Sequence, residues 1–241
     1  MEIMKKIIAK AANNRDAGHV TIAFLGDSVT QGCFEVYKKA DKSLETIFDK
    51  EHSYHTLLNK MFSVLYPSVP INMINAGVSG GTATHGSRRL ERDVIRYNPD
   101  LTVVCFGLND CQNGYEGIEK YKNALQDIFQ SLQDNGIEII FMTPNMMNTS
   151  VSDHIQDEDI RRVAEELMNK QKEGILDAYM DAAKQVCEKN NVRICDCYAK
   201  WKMLYENGVD ITELLANKIN HPTREMNWLF ATLLLDTMMQ Q

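Results

Sequence analysis

Four short segments of the chain carry groups that suit serine-based acyl transfer. Ser28 supplies a hydroxyl that could act as a nucleophile, and His221 supplies an imidazole that could act as a general base. Asn109 offers a neutral carboxamide, and residues 79–81 form a Ser-Gly-Gly turn with exposed backbone N–H groups. A nucleophile, a base and donors for an oxyanion are the parts that this chemistry requires. The sequence therefore predicts a serine hydrolase site if the fold brings the four segments together.

The elements needed to position these residues alternate along the chain. Five apolar, strand-like runs are separated by helical patterns, which favours right-handed β-α-β units and one parallel sheet. The predicted strands are Val20–Leu25, Ile71–Ile74, Leu101–Phe106, Glu138–Thr143 and Val192–Asp196. We expect an α/β fold of flavodoxin-like type, with three α/β/α layers, a five-stranded parallel sheet and a single domain over residues 1–241. In such sheets the active residues gather beyond the carboxyl ends of the strands.

The segments between these strands carry further expectations. Residues 33–52 and 145–160 are polar, and both are predicted to be mainly loop. Met146 and Met147 in the second loop are candidates to line an acyl or sugar pocket. A helix is predicted over Gly86–Tyr97, with four arginines on its solvent side, which are Arg88, Arg89, Arg92 and Arg96.

Together these motifs resemble those of the SGNH (GDSL-type) hydrolases. The resemblance is carried by Gly26-Asp27-Ser28 with Gly32, by Gly80, by Gly107-x-Asn109-Asp110 and by His221. The motifs extend over most of the chain and follow the predicted strands in the order seen in that family. Each motif alone is weak, whereas four of them in this order are fairly specific.

The resemblance implies a role for each matching residue. Ser28 is then the nucleophile, and His221 is the general base and later the general acid. The oxyanion is held by the backbone N–H groups of Ser28 and Gly80 and by the side-chain amide of Asn109. The implied activity is that of a serine esterase or acylhydrolase that needs neither a metal nor an organic cofactor.

One position departs from the family pattern. The family usually has an aspartate three residues before the histidine, and this chain has Lys218 there. A lysine cannot accept a hydrogen bond from the imidazole. The acceptor is therefore a backbone carbonyl, or another acid, for which the candidates are Asp210, Glu213 and Glu225, or the site works as a Ser–His pair. A further alternative is a catalytically inactive, carbohydrate-binding relative.

A second serine offers a competing hypothesis. Residues 77–81 fit the G-x-S-x-G turn of α/β-hydrolases, with Ser79 as the nucleophile and His221 still downstream. In that fold the turn normally follows several strands, whereas only two predicted strands precede it here. Ser28 is therefore favoured, and the alanine variants of the two serines separate the hypotheses.

Composition and charge narrow the class of partner. The chain has 241 residues, of which 44% are hydrophobic and 24% charged, and its formal net charge is −7. This charge argues against nucleic acid and against an anionic membrane surface. The histidines lack metal-ligand spacing, so no metal site is expected. Without a recognisable signal sequence or long apolar run, a cytoplasmic location is expected. The expected substrate is a small soluble ester, first of all an O-acetylated carbohydrate, and the oligomeric state is left open.

Overall fold

The computed structural model of the protein describes residues 1–240 and has a parallel sheet at its centre. Its strands, in chain order, are β1 Val20–Gly26, β2 Cys33–Lys38, β3 Leu44–Phe48, β4 Ile71–Gly77, β5 Leu101–Cys105, β6 Glu138–Met142 and β7 Arg193–Cys195. Five of them form the parallel sheet in the order β4-β1-β5-β6-β7. The predicted strands and their parallel arrangement are confirmed, and the second strand runs three residues further than predicted.

Strand β1 lies between β4 and β5, and its residues are buried along its whole length. Gly26, the last residue of β1, pairs with Gly77 of β4 and with Cys105 of β5. The three strands therefore end at the same level. The apolar run that identified β1 is typical of a central strand covered on both faces.

Helices cover the sheet in two groups. The α-helices are α1 Glu2–Ala12, α2 Ser28–Gln31, α3 Tyr54–Leu65, α4 Ala83–Asp93, α5 Ile118–Asp134, α6 Glu158–Lys172, α7 Ile175–Lys189, α8 Cys197–Glu206 and α9 Arg224–Met239. Helices α1, α3 and α8 pack with α9, while α4 and α7 pack with α5 and α6 packs with α7. This arrangement confirms the three-layer α/β/α architecture.

The prediction of a loop over residues 33–52 was wrong. Most of this segment is an antiparallel hairpin of β2 and β3, which forms a two-stranded sheet apart from the main one. The aromatic and β-branched residues Phe34, Val36 and Tyr37 were the available signal, because these residue types are enriched in strands.

Two expectations about side chains were also wrong. Met146 and Met147 are buried in the hydrophobic core, so neither is available to line an open pocket. Arg89 is not on the solvent side of α4 but is only 9% exposed. Elsewhere, within residues 1–240, no helix combines the length and the apolar character that crossing a bilayer requires.

Candidate active site

Ser28 lies at a tight turn between β1 and α2. Asp27 caps the helix, because its carboxylate accepts a hydrogen bond of 3.0 Å from the backbone N–H of Val29. The helix is one turn long and ends at Gly32, whose φ of +92° is the left-handed conformation that favours glycine. Ser28 is thus the first helical residue beyond the carboxyl end of the central strand.

Glycine is required where this short helix packs against β4. A Cβ atom added to Gly77 would lie 2.2 Å from the backbone nitrogen of Gln31. One added to Gly26 would lie 2.0 Å from the Thr30 hydroxyl oxygen. The absence of these two side chains lets α2 approach both strands, and that approach determines where the Ser28 hydroxyl points.

His221 faces Ser28 with its imidazole in the orientation that a general base needs. The distance from its Nε2 to the Ser28 Oγ is 3.0 Å, and the distance from its Nδ1 to the backbone oxygen of Phe34 is 2.8 Å. A carbonyl oxygen can only accept, so Nδ1 carries the proton and Nε2 accepts from the serine hydroxyl. Burial lowers the pKa of His221 below its ordinary value, while the Phe34 carbonyl and the charge of Glu35 act in the opposite direction. A neutral imidazole at this position can take the proton of Ser28.

None of the three candidate acids is the hydrogen-bond partner of Nδ1. Asp210 accepts from the backbone N–H of Thr212, and Glu213 forms an ion pair of 2.8 Å with Lys218. Glu225 is exposed at the start of α9. Of the alternatives left open by the sequence, the backbone carbonyl is the one that the structure contains. The hairpin places the Phe34 carbonyl against the imidazole, and nothing in the sequence around Lys218 indicates that contact.

The loop before His221 is held by a single asparagine. The side-chain oxygen of Asn217 accepts hydrogen bonds from the backbone N–H groups of Ile219, Asn220 and His221, at 2.9–3.0 Å. Lys218 has a φ of +59°, which is unusual for a residue other than glycine. The position that holds an aspartate in the family thus serves here as part of a tight turn, with its side chain paired outward to Glu213.

The candidate oxyanion donors lie at the ends of the strands that flank β1. Gly80 follows β4 in a turn closed by a hydrogen bond of 2.9 Å from Gly81 N–H to the carbonyl of Val78, and its φ is +72°. The Nδ2 atom of Asn109, beyond β5, donates to the carbonyl of Gly81 at 2.9 Å and lies 3.4 Å from a carboxylate oxygen of Asp27. The second contact is long for a hydrogen bond, so it leaves one amide hydrogen free to turn towards an oxyanion.

Two buried carboxyl groups surround these donors. Burial raises the pKa of Asp27 to about 7, and the nearby Asp110 adds to the rise. Burial also raises the pKa of Asp110 to about 6. Asp110 accepts a hydrogen bond from the backbone N–H of Ala83, the first residue of α4, so it braces the loop to that helix. Both carboxyl groups thus contact the segments that carry the candidate donors.

Arg89 links the ends of β1 and β4 through their backbone carbonyl groups. Its guanidinium donates to the carbonyl oxygens of Ala76 at 2.6 Å and Gly26 at 2.8 Å, and it pairs with Asp93 at 3.1 Å. The prediction placed this arginine on the solvent side of the helix together with Arg88, Arg92 and Arg96.

Ser79 occupies a different environment from Ser28. Its side chain is exposed, and its backbone N–H donates to the side-chain oxygen of Gln31 at 2.7 Å. His221 directs its Nε2 to Ser28 and its Nδ1 to Phe34, so both ring nitrogens are already engaged elsewhere. This arrangement does not support the alternative of an α/β-hydrolase-like esterase that uses Ser79.

Comparison with known proteins found a matching family and a relative of known activity. The GDSL-like lipase/acylhydrolase family matches residues 24–229. An acetylxylan esterase of Geobacillus stearothermophilus is 24% identical over 187 residues, which are 74% of this chain and 76% of the relative.

Solved structures agree on the fold. A crystal structure of an acetylxylan esterase from the same organism has a TM-score of 0.67 at 21% identity, covering 92% of this chain and 95% of that chain. A crystal structure of the acetyl xylan esterase AlAXEase has a TM-score of 0.67 at 21% identity, and the match covers 90% of this chain and 98% of that chain. The family match includes both Ser28 and His221 and extends over most of the sequence. The chain therefore belongs to the GDSL-like lipase/acylhydrolase family.

Proposed function

We propose that this protein is a serine esterase that removes acetyl groups from carbohydrates, with Ser28 as its nucleophile and His221 as its base. The observation that carries the proposal is the hydrogen bond of 3.0 Å between Ser28 Oγ and His221 Nε2. The Nδ1 contact to the Phe34 carbonyl supports the same assignment, because it selects the tautomer that leaves Nε2 free to accept the serine proton.

The proposed reaction proceeds through an acyl-enzyme. Ser28 Oγ attacks the ester carbonyl carbon while His221 Nε2 takes the hydroxyl proton, and a tetrahedral intermediate forms. The negative oxygen is held by the N–H groups of Ser28 and Gly80 and by the Asn109 amide. Collapse breaks the bond to the alcohol, which leaves with the proton from His221. Water, deprotonated by His221, then attacks the carbonyl carbon of the acetyl group. The bond from that carbon to Ser28 Oγ breaks, His221 returns the proton to Ser28 Oγ, and acetic acid is released.

The relatives favour an acetylated sugar as the substrate. The Geobacillus relative and both solved structures are described as acetylxylan esterases. A variant of the Geobacillus enzyme in which a serine is replaced by alanine is described as a catalytic mutant. These descriptions support transfer of the same chemistry to this chain.

A cleft along the β2–β3 hairpin is a candidate site for the sugar, and its lining begins one residue after Phe34 without including Ser28 or His221. It has a volume of about 450 Å³ and is lined by hairpin residues 35–38, by residues 154–157 and by residues 216–218. Its wall contains the half-exposed ring of Tyr37 and the polar side chains of Gln156 and Asn217.

The alternative of an inactive binding protein is not supported. That alternative depended on Lys218, which removes the expected acceptor for the imidazole. Because the Phe34 carbonyl accepts from Nδ1, the imidazole has an orienting partner without an aspartate. The family match and the acetylxylan esterase relatives also favour an active enzyme.

Alanine variants of the two serines test the proposal. We expect wild-type protein to hydrolyse p-nitrophenyl acetate and to release acetate from acetylated xylo-oligosaccharides. Ser28→Ala should abolish both activities, whereas Ser79→Ala, a matched change on the neighbouring turn, should retain most of them. Equal rates for wild type and Ser28→Ala would refute the proposed nucleophile. Activity on the p-nitrophenyl ester without acetate release from the oligosaccharide would refute the carbohydrate substrate alone.

A further inference from the structure

The acceptor for His221 Nδ1 belongs to a hairpin that lies outside the main sheet. The Phe34 carbonyl is provided by β2, which pairs only with β3. Within that hairpin the register shifts between Cys33 and Val36, so Phe34 and Glu35 lie at an irregularity of the ladder. Such irregularities interrupt the regular hydrogen bonding between strands. The backbone that orients the imidazole must therefore be held by other contacts.

Arg224 supplies those contacts from the start of α9, three residues after His221. Its guanidinium donates two hydrogen bonds to the Glu35 carboxylate, at 2.6 and 3.2 Å. Its Nε donates to Asp49, just after β3, at 2.8 Å. The guanidinium carbon also lies 4.4 Å from the centre of the Phe34 ring, within the range of a cation–π contact. One side chain thus holds both strands of the hairpin.

We propose that Arg224 is a positioning residue, which clamps the β2–β3 hairpin so that the Phe34 carbonyl stays against His221 Nδ1. The inference rests on the proposed function of Ser28 and His221. The clamp and the base are joined by a short rigid connection, Pro222-Thr223, and the Thr223 hydroxyl caps α9 by accepting from Met226 N–H at 3.3 Å. A movement of the hairpin relative to α9 would therefore open the Phe34–His221 contact directly.

The chemistry of the guanidinium explains why an arginine fits this position. Its planar fork can bind a carboxylate with two parallel hydrogen bonds, and it stacks on an aromatic ring. A lysine provides one point charge and cannot make the three contacts together. The hydrogen bond from Arg224 lowers the pKa of Glu35, so the carboxylate stays charged and bound at neutral pH.

Two variants of Arg224 test the clamp. Arg224→Met keeps an apolar stem of similar length and removes all three polar contacts, and we expect kcat to fall about 100-fold because small misplacements of a catalytic group cost that much. The substrate is p-nitrophenyl acetate, and its KM should change little because it has no sugar to contact the hairpin residues that line the proposed cleft. Arg224→Lys should recover part of the loss through one ion pair.

A measurement independent of activity follows the tautomer of His221. Long-range ¹H–¹⁵N spectra of histidine-labelled protein distinguish Nδ1–H from Nε2–H imidazoles, and the signal is assigned by its loss in His221→Asn. We expect wild type to hold the Nδ1–H form and Arg224→Met to become a mixture of tautomers. Arg161→Met is the matched control, because Arg161 forms a single ion pair of 3.6 Å within α6.

The outcomes separate this inference from the proposed function. An unchanged tautomer and an unchanged kcat in Arg224→Met would overturn the clamp, even if Ser28→Ala is inactive as proposed. A fall in kcat that merely follows a fall in the folded fraction, with the Nδ1–H tautomer retained, would overturn it as well. If wild type hydrolyses no ester, the proposed function fails, and the tautomer of His221 still decides the clamp. Should Arg224→Met not fold, Arg224→Lys and Glu35→Gln carry the same comparison.

Discussion

At the scale of single residues, the site differs from a triad in the kind of group that supports its base. An aspartate would place a negative charge beside the imidazolium, whereas the Phe34 carbonyl places only a dipole there. The dipole still selects the tautomer and orients the ring, which are two of the functions of the third group; the other is to stabilise the imidazolium. The remaining charge near the ring belongs to Glu35, which raises the pKa of His221 against the effect of burial.

The pH dependence of catalysis should report this balance. Because the general base must be neutral and burial lowers the pKa of His221, we expect the acid limb of kcat/KM to lie below pH 6.5, the ordinary value for histidine. Glu35→Gln removes a charge that raises this pKa, so the limb should move to still lower pH. The measurement is kcat/KM for p-nitrophenyl acetate between pH 4.5 and 8.5 in both proteins.

Two results would contradict that expectation. A limb above pH 6.5 in wild type would mean that His221 is not the group whose protonation stops the reaction, or that burial does not dominate its pKa. A shift to higher pH in Glu35→Gln would have the wrong sign for loss of a nearby carboxylate.

At the scale of elements, the site depends on how closely the one-turn helix α2 packs on β4. A helix this short has little stability of its own, so tertiary contacts hold it. Arg89 binds the carbonyl oxygens at the ends of β1 and β4, and glycine at position 77 leaves room for the backbone of α2. The strand ends and the helix therefore behave as one packed unit that carries Ser28.

Adding a single methyl group at this contact should damage both stability and catalysis. The Cβ of Gly77→Ala would lie 2.2 Å from the backbone nitrogen of Gln31, and backbone atoms cannot step aside as a flexible side chain can. We expect a loss of about 1–3 kcal/mol in the free energy of unfolding, the usual cost of overpacking. A lower kcat should accompany it as Ser28 is displaced.

Gly18→Ala is the matched control for that variant. Its Cβ would meet only the end of the Lys6 side chain, at 4.0 Å. Urea unfolding and ester hydrolysis of the two variants are compared with wild type. Similar behaviour of Gly77→Ala and Gly18→Ala would show that close packing of α2 on β4 is not what places the serine.

At the scale of the whole molecule, the fold brings together Ser28 and His221, which are 193 residues apart in the chain, and it buries two carboxyl groups beside them. Asp27 and Asp110 lie under the site with raised pKa values of about 7 and about 6. Burial of a carboxyl group without a matching cation disfavours its ionised form. We therefore expect these two carboxyl groups, which lie beside the candidate oxyanion donors, to lower stability at neutral pH.

Asp27→Asn should reveal that cost. The pKa of Asp27 is raised in the folded protein from 3.8 to about 7, so the folded state keeps a proton that the unfolded chain has lost. The stability linked to this carboxyl is therefore present below pH 4 and is lost as pH rises to about 7. Asparagine caps a helix as well as aspartate and does not ionise. The variant should gain stability relative to wild type over that range.

The test is urea unfolding of both proteins at pH 4.5 and at pH 7.5. His55, whose pKa burial lowers to about 4, also makes stability depend on pH, but it is the same in both proteins and cancels in the difference. An equal difference between the two proteins at both values would mean that Asp27 titrates in the folded state as it does in the unfolded chain.

Much of the fold, and the candidate residues at the ends of the strands, could be predicted because local sequence patterns specify them. An apolar run indicates a buried parallel strand, and Gly26-Asp27-Ser28 marks a candidate nucleophile beyond the central strand. Parallel strands place their carboxyl ends at one edge, so Ser28, Gly80 and Asn109 were expected to converge. The structure confirms the predicted three-layer fold and the parallel sheet.

The remainder was decided by contacts between distant segments. The sequence by itself determined the five strands of the main sheet and the candidates Ser28 and His221, together with the fact that Lys218 cannot accept a hydrogen bond from the imidazole. Only the tertiary structure decided that the Phe34 carbonyl is the partner of Nδ1 and that Arg89 is buried. The physical reason is that every residue carries the same carbonyl group, so no side chain marks the one that will accept. Which carbonyl meets His221 depends on where the hairpin lies against α9.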